Sequence, residues 1–121
     1  MKQLGILLLA AMLVGCASEE KSAQSQLEHR GRVIAQANCS SCHAIGRLGE
    51  SPAAEAPPFR TLSANYRVDT LEEAFAEGIS VGHPAMPEFQ FEPRDIDALI
   101  AYLQSIQEPG SRQTRDRRVA P

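Results

Sequence analysis

Apolar positions fall into three blocks of different kinds. Residues 4–14 form an almost unbroken apolar run behind Lys2. Across 27–37, Leu27, Val33, Ile34 and Ala37 recur at approximately helical spacing, interrupted by Gly31, which predicts a first helix. Across 93–106, Ile96, Leu99, Ile100, Leu103 and Ile106 share one helical face. Pro93 suits the first position of that last helix, and Asp95 and Asp97 suit the positive end of its dipole. Glu108-Pro109-Gly110 stops it. Between these blocks, 46–66 is rich in Pro, Gly and Ala and predicts loop, with at most a short helix near 61–66. Thr70-Leu71-Glu72-Glu73 has the form of a capping box and Gly78 is placed to end what it starts, a helix of about two turns. No segment alternates convincingly as a strand, so the fold class expected is all-α.

The first block is too short to anchor a chain across a bilayer and fits the apolar region of a secretory signal. It ends in Leu13-Val14-Gly15-Cys16, which resembles a bacterial lipobox and predicts a signal over 1–15 with Cys16 lipidated as the first mature residue. The other reading is ordinary cleavage after Ala17, which discards Cys16. Either reading sends the chain to the periplasmic side, and the first tethers it to a membrane through acyl chains. Residues 16–26, small and polar after the cysteine, read as a flexible tether; 27–108 form the domain; 109–121 read as a disordered basic tail.

Charge and composition narrow the function. Residues 17–108 carry seven Lys/Arg against fourteen Asp/Glu, a balance of −7, although the whole chain is only −3 because of Arg112, Arg115, Arg117 and Arg118 in the tail. An acidic domain excludes nucleic acid as the natural partner and suits protein partners with a basic docking patch. The chain has 121 residues, no Trp and only six aromatic residues, so a core built from protein alone would be thin. A buried prosthetic group would complete it. Three cysteines, an odd number in an exported chain, are not explained by disulfides alone.

Cys39-Ser40-Ser41-Cys42-His43 supplies the explanation. Two thiols three positions apart can reach the two vinyl groups on one side of a porphyrin as thioethers, while the adjacent histidine addresses the iron, so C-x-x-C-H reads as a c-type haem attachment site. C-x-x-C without the histidine would equally fit a dithiol pair, half a zinc site or a disulfide turn, but zinc wants about four ligands and only His29 and His83 remain as further soft donors. For the other face of the iron, Met86 is the one methionine after the motif, held between Pro84 and Pro87. A thioether there stabilises ferrous iron; His83, three residues away, is the rival and would lower the potential. His29, before the motif, reads as a solvated side chain.

These residues make the chain resemble the small class I cytochromes c over approximately 27–107. The resemblance implies an N-terminal helix that leads into C-x-x-C-H and crosses the C-terminal helix at a glycine. Gly31 takes that place eight positions before Cys39, with Leu99 and Tyr102 as its partners. Ala35 departs from the family, which often has a larger aromatic there. The resemblance also implies a proline carbonyl that accepts a hydrogen bond from His43, Pro57 or its neighbour Pro58. The expectation is a cytochrome c fold of three to five helices around one covalent haem c, with His43 and Met86 as axial ligands. Such a protein is a one-electron carrier between redox proteins, with no small-molecule substrate and no enzymatic role of its own. Two alternatives stay open: a haem c subunit of a larger periplasmic oxidoreductase, and a gas sensor in which Met86 is displaced.

Overall fold

The computed structural model describes residues 2–78 and 85–109, with side chains from Ala17 onward. Among the described residues three α-helices carry the architecture: α1, Lys2–Asn38; α2, Leu71–Glu77; and α3, Pro93–Ser105. Two 3-10 segments, Phe59–Ala64 and Val68–Thr70, lie between α1 and α2, and no strand occurs among the described residues. The class is therefore all-α, as the apolar pattern implies.

The long loop after α1 contains one short element, as expected, but it starts at Phe59, two residues earlier than the sequence suggests. Helix α3 begins with Pro93 in its first turn after an extended Glu92 and buries Ile96, Ala98, Leu99, Ile100, Tyr102 and Leu103. Gly78 ends α2 in the left-handed conformation, φ 71°, and its N–H donates to the Ala74 carbonyl at 3.0 Å. The capping box at Thr70 does not form. Thr70 is itself helical, φ −70° and ψ −11°, at the end of the Val68–Thr70 turn, and its hydroxyl donates backward to the Arg67 carbonyl at 2.6 Å. A capping side chain reaches forward only from an extended backbone, which the preceding turn removes.

Helix α1 continues through 17–26, where the composition suggests a flexible tether. Every side chain from Ala17 to Gln26 is exposed, so packing does not hold this stretch. A helix already nucleated downstream propagates at little cost through Ala, Glu, Lys and Gln. Local pairs add to it, with Gln24 donating to Glu28 at 2.9 Å. Among the described residues, no helix is long and apolar enough to cross a membrane.

The core is small: Ala35, Phe59, Val68, Leu99, Tyr102, Leu103 and Ile106, with Ile34, Ile45, Leu62, Leu71, Phe75 and Phe91 half-buried around it. Burying one side chain such as Leu99 or Leu103 is worth about 2 kcal/mol. The principal contact is α1 on α3. A Cβ built on Gly31 would lie 1.9 Å from the Ala98 carbonyl oxygen and 2.7 Å from Tyr102 Cβ, so the two backbones touch there. The glycine of the crossing is as the resemblance implies, and so is Tyr102. Its other partner is Ala98, not Leu99, which points one position round the helix into the core. Ala35, one turn after Gly31, is fully buried. A small residue there continues the flat face that lets α3 lie close, which accounts for the departure from a larger aromatic. On the surface beside the crossing, Arg30 Nε and Nη2 donate to Asp95 Oδ1 at 2.9 and 2.6 Å, a pair of small energetic weight.

The backbone atoms facing Gly31 cannot retreat without separating the helices. Gly31→Ala is expected to cost at least about 2 kcal/mol through overpacking. Denaturant unfolding of the purified protein, followed by helical circular dichroism, checks this; an unchanged midpoint would contradict the crossing.

Candidate functional site

The chemistry-bearing motif sits where α1 runs out. Cys39 N–H still donates to the Ala35 carbonyl at 2.9 Å, the last helical bond, and the N–H groups of Cys42 and His43 then both converge on the Cys39 carbonyl at 3.1 and 2.9 Å. The chain thus folds Cys39–His43 into one tight turn, which keeps both thiols and the imidazole near each other. Both cysteines are free thiols and half-buried. Burial pushes the Cys39 thiol up to about 11. A dithiol redox pair needs the opposite shift, because the thiolate is its nucleophile. Nor do three His, Cys, Asp or Glu side chains converge to hold a bare metal ion anywhere among the described residues.

His43 is oriented from one side. Its Nδ1 lies 2.8 Å from the Pro57 carbonyl oxygen. Since a carbonyl can only accept, Nδ1 carries the proton and the lone pair resides on Nε2, the tautomer required for a metal-ligating imidazole. The neighbouring Pro58 carbonyl is turned elsewhere, accepting from the Thr61 hydroxyl at 2.8 Å and the Thr61 N–H at 3.0 Å. The His43 ring also lies against Phe59, centroids 4.9 Å apart.

The segment after His43 is pinned on several sides. Ala44 donates its N–H to Ser51 Oγ at 3.0 Å and accepts from Phe59 N–H at 2.9 Å. The Tyr102 hydroxyl on α3 donates to the Ile45 carbonyl at 2.8 Å. Burial outweighs the nearby Arg32 and Arg47 charges and pushes the Tyr102 phenol up, so it remains a donor at neutral pH. The Arg47 guanidinium reaches the Ser105 carbonyl at the end of α3. Phe59 and the Tyr102 hydroxyl bond are contributions that the sequence pattern does not single out; the only available signal was an aromatic residue directly after Pro57-Pro58.

Met86 is half-buried on the connection between α2 and α3. Its rival His83, Pro84, the Cys16 side chain and the arginines of the tail lie outside the described residues. His29 is exposed on α1. A shallow cavity of about 490 Å³ lies apart from the cysteine turn, between α2 and the start of α3, lined in part by Asp69, Glu72, Glu73 and Asp97. It touches none of Cys39, Cys42, His43 or Met86.

The donor set fits a haem. Two unpaired thiols stand one tight turn apart, an adjacent imidazole has Nε2 available, and half-buried Ile34, Ile45, Leu62 and Phe91 give the core an apolar border. A family model described as cytochrome c oxidase, cbb3-type, subunit III matches residues 26–103. No curated protein and no solved structure matches. With the match running from the exposed part of α1 through the Cys39–His43 turn to the buried face of α3, the chain belongs to this cytochrome c family, an all-α electron-transfer domain with covalently bound haem c.

Proposed function

We propose that the protein is a one-electron carrier and not an enzyme, with its haem held by thioethers to Cys39 and Cys42 and its iron ligated by His43 and Met86. The observation that carries this reading is the His43 Nδ1–Pro57 contact at 2.8 Å, which leaves Nε2 as the ligating nitrogen. The bound haem supplies a one-electron iron couple. The rest of the work falls to the chain. The Pro57 carbonyl holds the His43 proton and raises the basicity of the ring. Phe59 and the Tyr102–Ile45 bond restrain the loop on which the ring depends. Met86, followed by Pro87, offers a thioether from a stiff segment, which limits ligand rearrangement between oxidation states and favours the ferrous form. Two protein ligands leave no iron position for a substrate.

Partners are other redox proteins. The Glu72, Glu73 and Asp97 side of the molecule supports docking to a basic patch through salt-sensitive encounters. Lipidation at Cys16 would place the domain on the periplasmic side at the end of an exposed helix. The 15 residues from Cys16 to Arg30 make that stalk about 20 Å long at helical rise. A second reading follows from the family description itself, which names an oxidase subunit. Stoichiometric co-purification with a catalytic subunit would favour it over a free carrier.

Absorption spectra of protein matured with haem, oxidised and reduced, test the central reading. A covalent haem c spectrum with the weak near-red band of sulfur on ferric iron is expected, the band lost in Met86→Ala and the covalent attachment weakened in Cys39→Ala. A haem spectrum without that band would shift the sixth ligand to His83, and absence of haem would overturn the reading.

Because the protein core is small, the haem-free Cys39→Ala/Cys42→Ala chain is expected to lose most of its α1–α3 packing. Far-ultraviolet circular dichroism should show a broad, non-cooperative melt; a sharp transition would contradict a structural role for the haem.

Cys16→Ser is expected to move the protein from the membrane fraction to the soluble periplasmic fraction. An intact mass showing cleavage after Ala17 would overturn the anchor.

A further inference from the structure

The connection that carries Met86 returns to α2 at a well-defined place. Phe91 N–H donates to the Phe75 carbonyl at 3.0 Å, and Gln90 Nε2 donates to the Ala76 carbonyl at 3.3 Å. A Cβ on Gly78 would lie 3.8 Å from the Phe89 carbonyl oxygen, so the end of α2 runs directly beside the segment that follows Met86. Three phenyl rings cover this junction. Phe75 and Phe91 meet edge to face, centroids 5.8 Å apart at 72°, and Phe91 and Phe89 stack in parallel, 5.6 Å apart at 9°. Both are favourable geometries for aromatic pairs. Phe75 and Phe91 also pack against the core, whereas Phe89 does not belong to it and lies three residues from Met86.

The rings therefore form a relay from the core to the ligand segment. We infer that Phe75, Phe91 and Phe89 act as an aromatic clasp that positions Met86, setting how readily its sulfur leaves the iron. This deepens the proposed function and rests on Met86 as the sixth ligand. The physical basis is local opening: the ligand segment can detach without global unfolding, and the population of the open form is set by the few contacts that close it. The two hydrogen bonds, one from the Phe91 backbone and one from the Gln90 side chain, supply register, and the ring pairs supply most of the closing free energy. Phe89 lies outside the core that joins α1 to α3, so loosening the clasp at that ring leaves the α1–α3 crossing and the cysteine turn in place. The affected property is ligand exchange.

The test uses the haem-loaded wild type with Phe89→Leu, Phe91→Leu and the conservative Phe91→Tyr. Three quantities are read: the near-red sulfur band, the rate at which imidazole displaces the sixth ligand of the ferric protein, and the thermal midpoint. Phe89→Leu is expected to raise the imidazole rate about fivefold, the scale of one lost aromatic pair, and Phe91→Leu to raise it further, because that ring belongs to both pairs. Their combination is expected to give less than the product, because the two rings stack on each other. Phe91→Tyr should stay within about twofold of wild type, since it keeps the ring. Phe89→Leu should lower the midpoint by only a few degrees, the shift that one lost ring pair carries; the imidazole rate separates a clasp from ordinary core packing, and this variant keeps the test decisive if Phe91→Leu fails to fold. Rates for Phe89→Leu equal to wild type would overturn the clasp. A wild-type protein with no sulfur band would overturn the Met86 assignment and the clasp with it, and that outcome is visible before any variant is made.

Discussion

The contact between the Gly31 backbone and the Ala98 carbonyl is the constraint from which the rest of the molecule is built. Helices normally keep 8–10 Å between axes because side chains stand between them. Here the missing Cβ of Gly31 and the small side chain of Ala35 bring α3 onto the backbone of α1. Helix α1 delivers Cys39 at its last turn, and α3 delivers Tyr102, whose hydroxyl holds Ile45 two residues after His43. The distance between the helices therefore sets where the cysteine turn sits relative to the loop that orients its histidine.

From that turn outward, control passes through hydrogen bonds instead of packing. One carbonyl, that of Cys39, collects two N–H groups and closes the turn; another, that of Pro57, fixes the proton of His43. Each proline has a separate task, since Pro58 turns its carbonyl to Thr61 and starts the Phe59–Ala64 segment, which places Phe59 against the imidazole. A carrier of single electrons benefits from such restraint, because any ligand that moves between oxidation states adds to the barrier for transfer. The hydrophobic core is small, and the polar bonds of the loop compensate by specifying one arrangement of it.

Much of this was legible in the chain. The Cys39–His43 spacing carries its chemistry in five consecutive residues, and a local turn needs no distant partner to form. The face of α3 repeats with helical period, Gly78 marks the end of α2, and Gly31 stands out as an interruption in an otherwise helical pattern. The Thr70 capping box is instructive for the opposite reason. The four residues match the motif, yet the Val68–Thr70 turn before them takes Thr70 into helical geometry, and a residue already helical cannot cap. The stretch 17–26 failed similarly, since its polar composition hid a helix that α1 propagates into it.

The sequence by itself determined the cofactor chemistry, the helical class and the acidic character of the domain, because each depends on residue types at short, fixed spacing or on their sum. Tertiary structure alone decided that Ala98, not Leu99, faces Gly31, that the Pro57 carbonyl reaches His43 while that of Pro58 turns away, and that Phe75, Phe91 and Phe89 meet across α2 and the segment after Met86. Those choices rest on rotations of a fraction of a helical turn and on contacts between residues far apart in the chain, as between Phe75 and Phe91 or between His43 and Pro57. Local periodicity carries no information about such contacts, which form only when the chain has folded back on itself.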